Sequence, residues 1–185
     1  MKLSPEKGKQ LIKLARLSIN GKEIDLDGFE EKKGVFVTIN SYPSKKLRGC
    51  IGFPKPIMPL KKAVVEAAKS AAYSDSRFDP LESDEQFTIE LSVLTVPELI
   101  SGNLLDLFTI GKHGLIIEHK GKYGLLLPQV FSDYRSTPLE ALQMTCEKAG
   151  VSLDAWKEND CKVYKFEAQI FIEETPNGNV VEKEQ

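Results

Sequence analysis

The segment Leu47 to Pro54 reads Leu-Arg-Gly-Cys-Ile-Gly-Phe-Pro and holds the residue types best suited to chemistry in this chain. Side chains alternate between the two faces of a strand, so Arg48, Cys50 and Gly52 are expected on one face. At ~3.3 Å per residue, Arg48 and Cys50 would be separated by about 7 Å along the strand. A nearby cation favours the thiolate, the form of cysteine that attacks electrophiles and binds metals. This face is therefore a candidate site. The two glycines indicate a bulge or the close approach of another group.

The elements that would position this segment follow the order helix, hairpin, helix, strand. Ser4 as a cap and Pro5 at the first position predict a helix that stops near Asn20-Gly21. The β-branched and aromatic run 34–40 pairs with the Arg-Gly-Cys strand as a predicted hairpin. Apolar spacing then predicts a helix over 60–73, and alternation over 87–93 predicts a half-buried strand.

The second half of the chain repeats the hairpin, helix, strand order. It has a hairpin around Lys120-Gly121, a helix over 138–149 that ends at Gly150, and an alternating strand over 163–171. We therefore predict an α+β fold of two subdomains, each a hairpin-helix-strand unit with mainly antiparallel sheets and a cleft between them. The expected divisions of this single domain, 1–185, are 1–100, 101–175 and a flexible tail over 176–185. When the two units are aligned, Leu125 occupies the position equivalent to Cys50, so only the first unit carries the thiol.

Composition limits the classes of function. The 185 residues are 41% hydrophobic and 28% charged, as in ordinary soluble domains, and the net charge of -2 gives no basic field for nucleic acid. The sequence shows neither a signal peptide nor a long apolar run, so we expect a cytoplasmic protein without a membrane segment. Three widely spaced cysteines fit reduced thiols better than a disulfide framework.

Two further side chains could assist the Cys50 thiol. Glu90 lies at the polar phase of its predicted strand, where it could hold Arg48, accept a proton, or simply face solvent. His113, at the start of a strand, is either a base for Cys50 across the fold or a surface histidine. His113 and His119 would lie about 20 Å apart in one strand, so they cannot share a metal, and we expect no metal site.

Polar residues around the motif could bind a ligand instead. Asp75 and Arg77 follow the second helix, where they either brace a loop or line the rim of the cleft. The backbone amides of Gly49 and Gly52, together with the Arg48 guanidinium, could hold an anion.

Several of these motifs together resemble the AMMECR domain family, named for the Alport syndrome, midface hypoplasia, intellectual disability and elliptocytosis region. The matching pieces occur in the family's order over residues 5–175, and the six-residue Arg-Gly-Cys core is specific. They are Leu47 to Gly52, Asp75 to Phe78, Glu90 to Leu94, Gly111 to Gly114, and Leu126 to Val130. After the last piece the family commonly has Gly-Trp, whereas this chain has Asp133-Tyr134-Arg135.

The resemblance implies an α+β fold of two subdomains with the motif near a cleft. It brings no established reaction and no cofactor. Prokaryotic members of the family look associated with Memo-like and radical-SAM proteins, which suggests a shared pathway.

Two hypotheses of function remain open at this point. In the first, the cleft around Arg48-Gly49-Cys50 binds a small anionic ligand or a protein partner segment, with Asp75 and Arg77 nearby. In the second, the protein is a cysteine-dependent transferase or hydrolase with Cys50 as nucleophile and Glu90 and His113 as acid/base groups.

Overall fold

A computed structural model, which describes residues 2–22 and 26–183, confirms the α+β fold. The helices are α1 (Pro5–Ile19), α2 (Leu60–Tyr73), α3 (Pro128–Asp133) and α4 (Pro138–Ala149). The strands are β1 (Val35–Ser41), β2 (Leu47–Phe53), β3 (Phe87–Leu94), β4 (Glu98–Ile100), β5 (His113–His119), β6 (Lys122–Leu126), β7 (Lys162–Glu173) and β8 (Val180–Lys183). The predicted helices and hairpins are present, while β4, α3 and β8 are additions that the sequence patterns did not reveal.

The chain divides into two compact units. Of the described residues, the first unit contains those up to Leu94 and those from Gln169 to Lys183, and the second is Thr95–Ala168. These boundaries differ from the expected 1–100 and 101–175 because β7 is 12 residues long and ends in the first unit, where Phe171 joins the core. The segment expected as a flexible tail contains β8, which pairs with the end of β7, while residues 184 and 185 lie outside the described residues.

The first unit packs two helices on one face of an antiparallel sheet. Strand β1 lies between β2 and β3, and its inward residues Val37 and Ile39 are fully buried beneath α1 and α2. Helix α1 begins as predicted, because the Ser4 hydroxyl accepts a hydrogen bond from the Lys7 amide and Pro5 occupies the first turn. The opposite face of the sheet carries Phe36 together with the polar residues Thr38 and Glu90.

The second unit has its own hairpin and helix. Strands β5 and β6 are joined by Lys120-Gly121, whose φ values of 50° and 77° suit a tight hairpin turn. Strand β5 also pairs with β7, and β4 pairs with β7. Pro128 ends the hairpin as expected but also starts the short helix α3, since proline fits the first turn of a helix.

A buried ion pair joins three segments of the first unit. Arg16 on α1 and Glu173 on β7 are 8% and 3% exposed and form a bidentate pair. Arg16 also donates to the Phe87 carbonyl at 2.7 Å, and Glu173 accepts from the Ile89 amide at 3.2 Å. Both carboxylate oxygens of Glu173 and the Nε and Nη2 atoms of Arg16 are therefore engaged, which offsets part of the cost of removing the pair from water.

Replacing Glu173 with leucine should lower the free energy of unfolding by about 3–5 kcal/mol, because Arg16 becomes an uncompensated buried charge. The double variant Arg16→Met, Glu173→Leu should recover most of that loss, which urea denaturation can measure. Glu174→Leu, at an exposed neighbouring position, is the matched control and should change stability by less than about 0.5 kcal/mol. A double variant no more stable than Glu173→Leu alone would contradict this account.

Candidate functional site

Strand β2 is irregular at the centre of the motif. Its register against β1 shifts between Ile39 and Asn40, so Arg48 has no partner in β1. A Cβ on Gly49 would lie 2.1 Å from the Ala71 carbonyl oxygen of α2. Gly52 lies under the Phe36 ring, at 2.4 Å from where a Cβ would be. Both expectations for the glycines, a bulge and a close approach, are therefore confirmed.

The backbone of Cys50 is bound by the loop that follows α2. Its N–H donates to Asp75 Oδ2 at 2.9 Å, and its carbonyl accepts from Arg77 Nη2 at 3.1 Å. Because both groups point away from β1, Cys50 and its partner Thr38 form a non-hydrogen-bonded pair, in which side chains approach closely. The Thr38 hydroxyl accordingly donates to Cys50 Sγ at 3.2 Å. Thr38 was not predicted as a site residue, although its place on the polar phase of β1 was a usable signal.

The Asp75 carboxylate organises this end of the loop. It is 6% exposed and accepts hydrogen bonds from the Cys50 amide, the Arg77 amide, Arg77 Nε and Arg77 Nη2. The Arg77 guanidinium and, to a smaller extent, the backbone amides hold the pKa of Asp75 well below its usual range, although burial opposes them. Asp75 is therefore ionised at neutral pH.

The cation beside the Cys50 thiol was predicted to be Arg48, but in the structure it is Arg77. Arg48 forms a bidentate pair with Glu85, at 2.8 and 2.7 Å, and also donates to the carbonyls of Asp79 and Pro80. Its pKa is raised, chiefly by the hydrogen bond to Glu85. The pKa of Arg77 is raised first by Asp75 and, in smaller part, by the adjacent Cys50 side chain. Strict alternation predicted Arg48 beside Cys50, but the bulge at Arg48 interrupts that alternation.

Glu90 and His113, the two predicted acid/base residues, belong to different units of the chain. Glu90 is half-buried on β3 and pairs in register with Thr38, which in turn pairs with Cys50. Glu90 is therefore two strand spacings, about 10 Å, from Cys50, with Thr38 between them.

His113 belongs to the second unit. Its Nδ1 accepts from the Thr109 amide at 2.9 Å, and its Nε2 lies 3.9 Å from Glu167 Oε1. Burial, then the charges of Lys112 and Lys165, lower the pKa of His113. A role for His113 with Cys50, like the location of the site in a cleft between the units, stays a prediction.

An open groove of about 620 Å³ adjoins Arg77 within the first unit. Its lining mixes both charges and consists of Arg48, Ser76, Arg77, Phe78, Asp79, Pro80, Glu82 and Glu85. Glu85, which the sequence analysis did not identify, fixes one side of the groove through Arg48. No local pattern marked it, because its role depends on a contact distant in sequence. Among the residues that the structure describes, the group of side chains spaced to hold a metal ion lies in the second unit and excludes Cys50.

Comparison with known proteins assigns the family and the fold of this chain. The sequence model of the AMMECR1 family matches residues 10–171, and the chain belongs to that family, as the motifs suggested. Protein MJ0810 of Methanocaldococcus jannaschii is 46% identical over 195 residues, covering 98% of this chain and 97% of its own. The crystal structure of Pyrococcus horikoshii protein PH0010 matches with a TM-score of 0.89 and 43% identity over the full length of both chains. In the described ranges, no helix is long and apolar enough to cross a membrane.

Asp75→Asn should lower the free energy of unfolding by about 2–4 kcal/mol near neutral pH, because charge-assisted hydrogen bonds are lost. The folded-state pKa of Asp75 is depressed, so its contribution is complete above the unfolded pKa of about 3.9 and declines as pH falls. The difference in the free energy of unfolding between wild type and Asp75→Asn should therefore decrease by about 1 kcal/mol from about pH 5 to about pH 3. Urea denaturation across this range measures it.

Asp154→Asn is the matched control, since Asp154 is an exposed aspartate paired with Lys157. It should cost less than about 1 kcal/mol at every pH. If the free energies of unfolding of wild type and Asp75→Asn differ by a constant amount down to about pH 3, the ionisation assigned to Asp75 is contradicted.

Proposed function

We propose that this AMMECR1-family protein binds a small anionic ligand, or the acidic group of a protein partner segment, at Arg77 beside Cys50. The observation that carries the proposal is that Arg77 is fixed yet accessible: its side chain is 55% exposed while Asp75 holds its Nε and Nη2 atoms. Within the described residues, Arg77 Nη1 has no hydrogen-bond partner. A guanidinium oriented in this way is pre-organised to receive a carboxylate or phosphate oxygen.

The charges around the groove restrict the ligand. Asp75 offsets the charge of Arg77, and Glu85 offsets that of Arg48, while Asp79 and Glu82 add acidic groups to the lining. Acidic groups therefore outnumber basic ones, so the long-range field does not attract anions, and recognition depends on direct hydrogen bonds to Arg77. A small ligand with one anionic group and a neutral or cationic remainder suits this lining better than a polyanion.

Ligand binding is tested by the rise in melting temperature with inorganic phosphate, acetate and zwitterionic amino acids. A ligand at 100 times its dissociation constant adds about 2.7 kcal/mol of stability, so a shift of several degrees is expected with at least one of them. Arg77→Gln should abolish the shift. Arg48→Gln should lower the starting melting temperature but retain the shift, because Arg48 is engaged with Glu85 and two carbonyls.

Two results would contradict anion binding at Arg77. One is the absence of a shift with every probe. The other is a shift that survives Arg77→Gln.

The contacts of the Cys50 side chain favour a second candidate function, a cysteine-dependent transferase or hydrolase. The Thr38 hydroxyl donates to Sγ at 3.2 Å, and the Arg77 guanidinium lies beside the Cys50 side chain. A hydrogen-bond donor and a cation next to the sulfur are typical surroundings of nucleophilic cysteines. After its proton passes to solvent, Sγ would bond to an electrophilic carbon. The bond to the leaving group would break with its electron pair, and an acceptor nucleophile or water would later displace Sγ.

Alkylation by iodoacetamide, followed by mass spectrometry at each cysteine, tests the second function. At about pH 6, Cys50 should react faster than glutathione, and Arg77→Gln should slow it severalfold while Arg48→Gln does not. Burial raises the pKa of the Cys161 thiol to about 11, so Cys161 is an internal slow reference. A Cys50 rate at or below that of glutathione would exclude an activated nucleophile.

A further inference from the structure

A second group of side chains that could bind a ligand belongs to the second unit, whereas the residues of the proposed anion site belong to the first. His119 ends β5 just before the hairpin turn, and Glu158 and Asp160 lie in the segment that precedes β7. His119 is 5% exposed, whereas the Glu158 and Asp160 side chains are 46% and 58% exposed. One atom from each of the three side chains can be chosen so that all lie within 4.8 Å of one another.

The His119 ring lies between two carboxylates without being properly hydrogen-bonded to them. Its Nε2 is 3.4 Å from Glu158 Oε2, and its Nδ1 is 3.5 Å from Asp160 Oδ1. Hydrogen bonds of this type normally measure about 2.7–3.2 Å. Within the described part of the chain, Nδ1 is buried and has no hydrogen-bond partner. A buried polar atom in that condition needs an explanation.

A cation bound at one ring nitrogen explains one of these two contacts. Neutral imidazole has a proton on one nitrogen and a lone pair on the other, so one nitrogen must present its lone pair to an anionic oxygen. That contact is repulsive unless a proton or a cation lies between the two atoms. Two donor atoms bound tetrahedrally to one ion at about 2.1 Å would lie about 3.4 Å apart, which matches the separation at either ring nitrogen, although one ion binds only one of them. The carboxylate beside the other nitrogen has a ligand atom within 4.8 Å of the rest of the group, so its exposed side chain must turn toward the ion.

We propose that His119, Glu158 and Asp160 bind one divalent transition-metal ion, of the type of Zn²⁺ or Mn²⁺. Imidazole nitrogen with two carboxylates is a ligand set that these ions accept, and three protein ligands leave at least one position for water. The ion would join the β5–β6 hairpin to the segment before β7. The Lys120 ammonium, 2.8 Å from Glu158 Oε2, must release that carboxylate when the metal binds. The spacing of histidine and cysteine residues gives no sign of this site, because the two carboxylates are distant from His119 along the chain.

Calorimetric titration of chelator-treated protein with Zn²⁺ and with Mn²⁺ near neutral pH tests the site. One equivalent of at least one metal should bind, and Glu158→Gln and Asp160→Asn should each weaken binding about tenfold or more. These carboxylates are exposed, so both variants should fold. Asp154→Asn, which removes an exposed carboxylate of the same unit from outside the cluster, should leave the affinity unchanged.

Nuclear magnetic resonance of the His119 ring nitrogens distinguishes metal from proton. Addition of diamagnetic Zn²⁺ should shift one ring nitrogen to a metal-bound position. Three outcomes would overturn the proposal: an imidazolium ring that Zn²⁺ does not perturb, binding only at millimolar metal, or binding that survives both carboxylate variants and depends on a cysteine. None of these measurements involves Arg77, so failure of the metal site leaves the proposed anion site untouched.

Discussion

The arrangement of residues around Cys50 depends on the hydrogen bonds that the buried Asp75 carboxylate accepts from the Cys50 amide and from Arg77. Strand β2 is at the edge of the sheet formed with β1 and β3, and an edge strand has backbone groups that need partners. Asp75 takes the amide of Cys50 and positions Arg77 to take its carbonyl. The Asp75–Arg77 pair thus satisfies the edge as another strand would, but without adding one. Because Asp75 also orients the Arg77 guanidinium, one carboxylate both satisfies the edge of β2 and holds Arg77 in place.

The residues of the Arg-Gly-Cys motif have separate tasks. Arg48 holds the loop after α2 through Glu85 and two carbonyls, and that loop forms the groove. Gly49 allows the α2 backbone to approach β2 more closely than a side chain would permit. Cys50 alone presents a reactive group, and its environment comes from Thr38 and Arg77 rather than from the rest of the motif. A motif of adjacent residues therefore need not form one chemical site, because a bulge redirects its side chains.

The helix ends and strands that depend on local sequence patterns could be predicted. Caps and glycines marked the ends of α1 and α4, and alternation marked β3 and β7, because these signals are contained in short windows. The partner of Cys50 was predicted as Arg48, since alternation carries no information on a bulge. The Glu85 contact and the return of β7 to the first unit depend on residues far apart in sequence. Only the folded chain brings them together, so propensity and spacing could not reveal them.

One residue of the Arg-Gly-Cys motif has a structural counterpart in the second unit. Gly124 of β6 occupies the position that matches Gly49 of β2, and a Cβ there would lie 2.7 Å from the Thr145 carbonyl oxygen of α4. Both units thus use a glycine on the second hairpin strand to admit the helix that packs against it, α2 in the first unit and α4 in the second. The next position differs, because Cys50 is matched by Leu125. Since the glycine is explained by packing in both units, its presence in the motif is no argument for ligand binding. What the first unit has in addition is the thiol and the Asp75–Arg77 pair that holds its backbone, and selection for a ligand or a reaction would have to act on these residues.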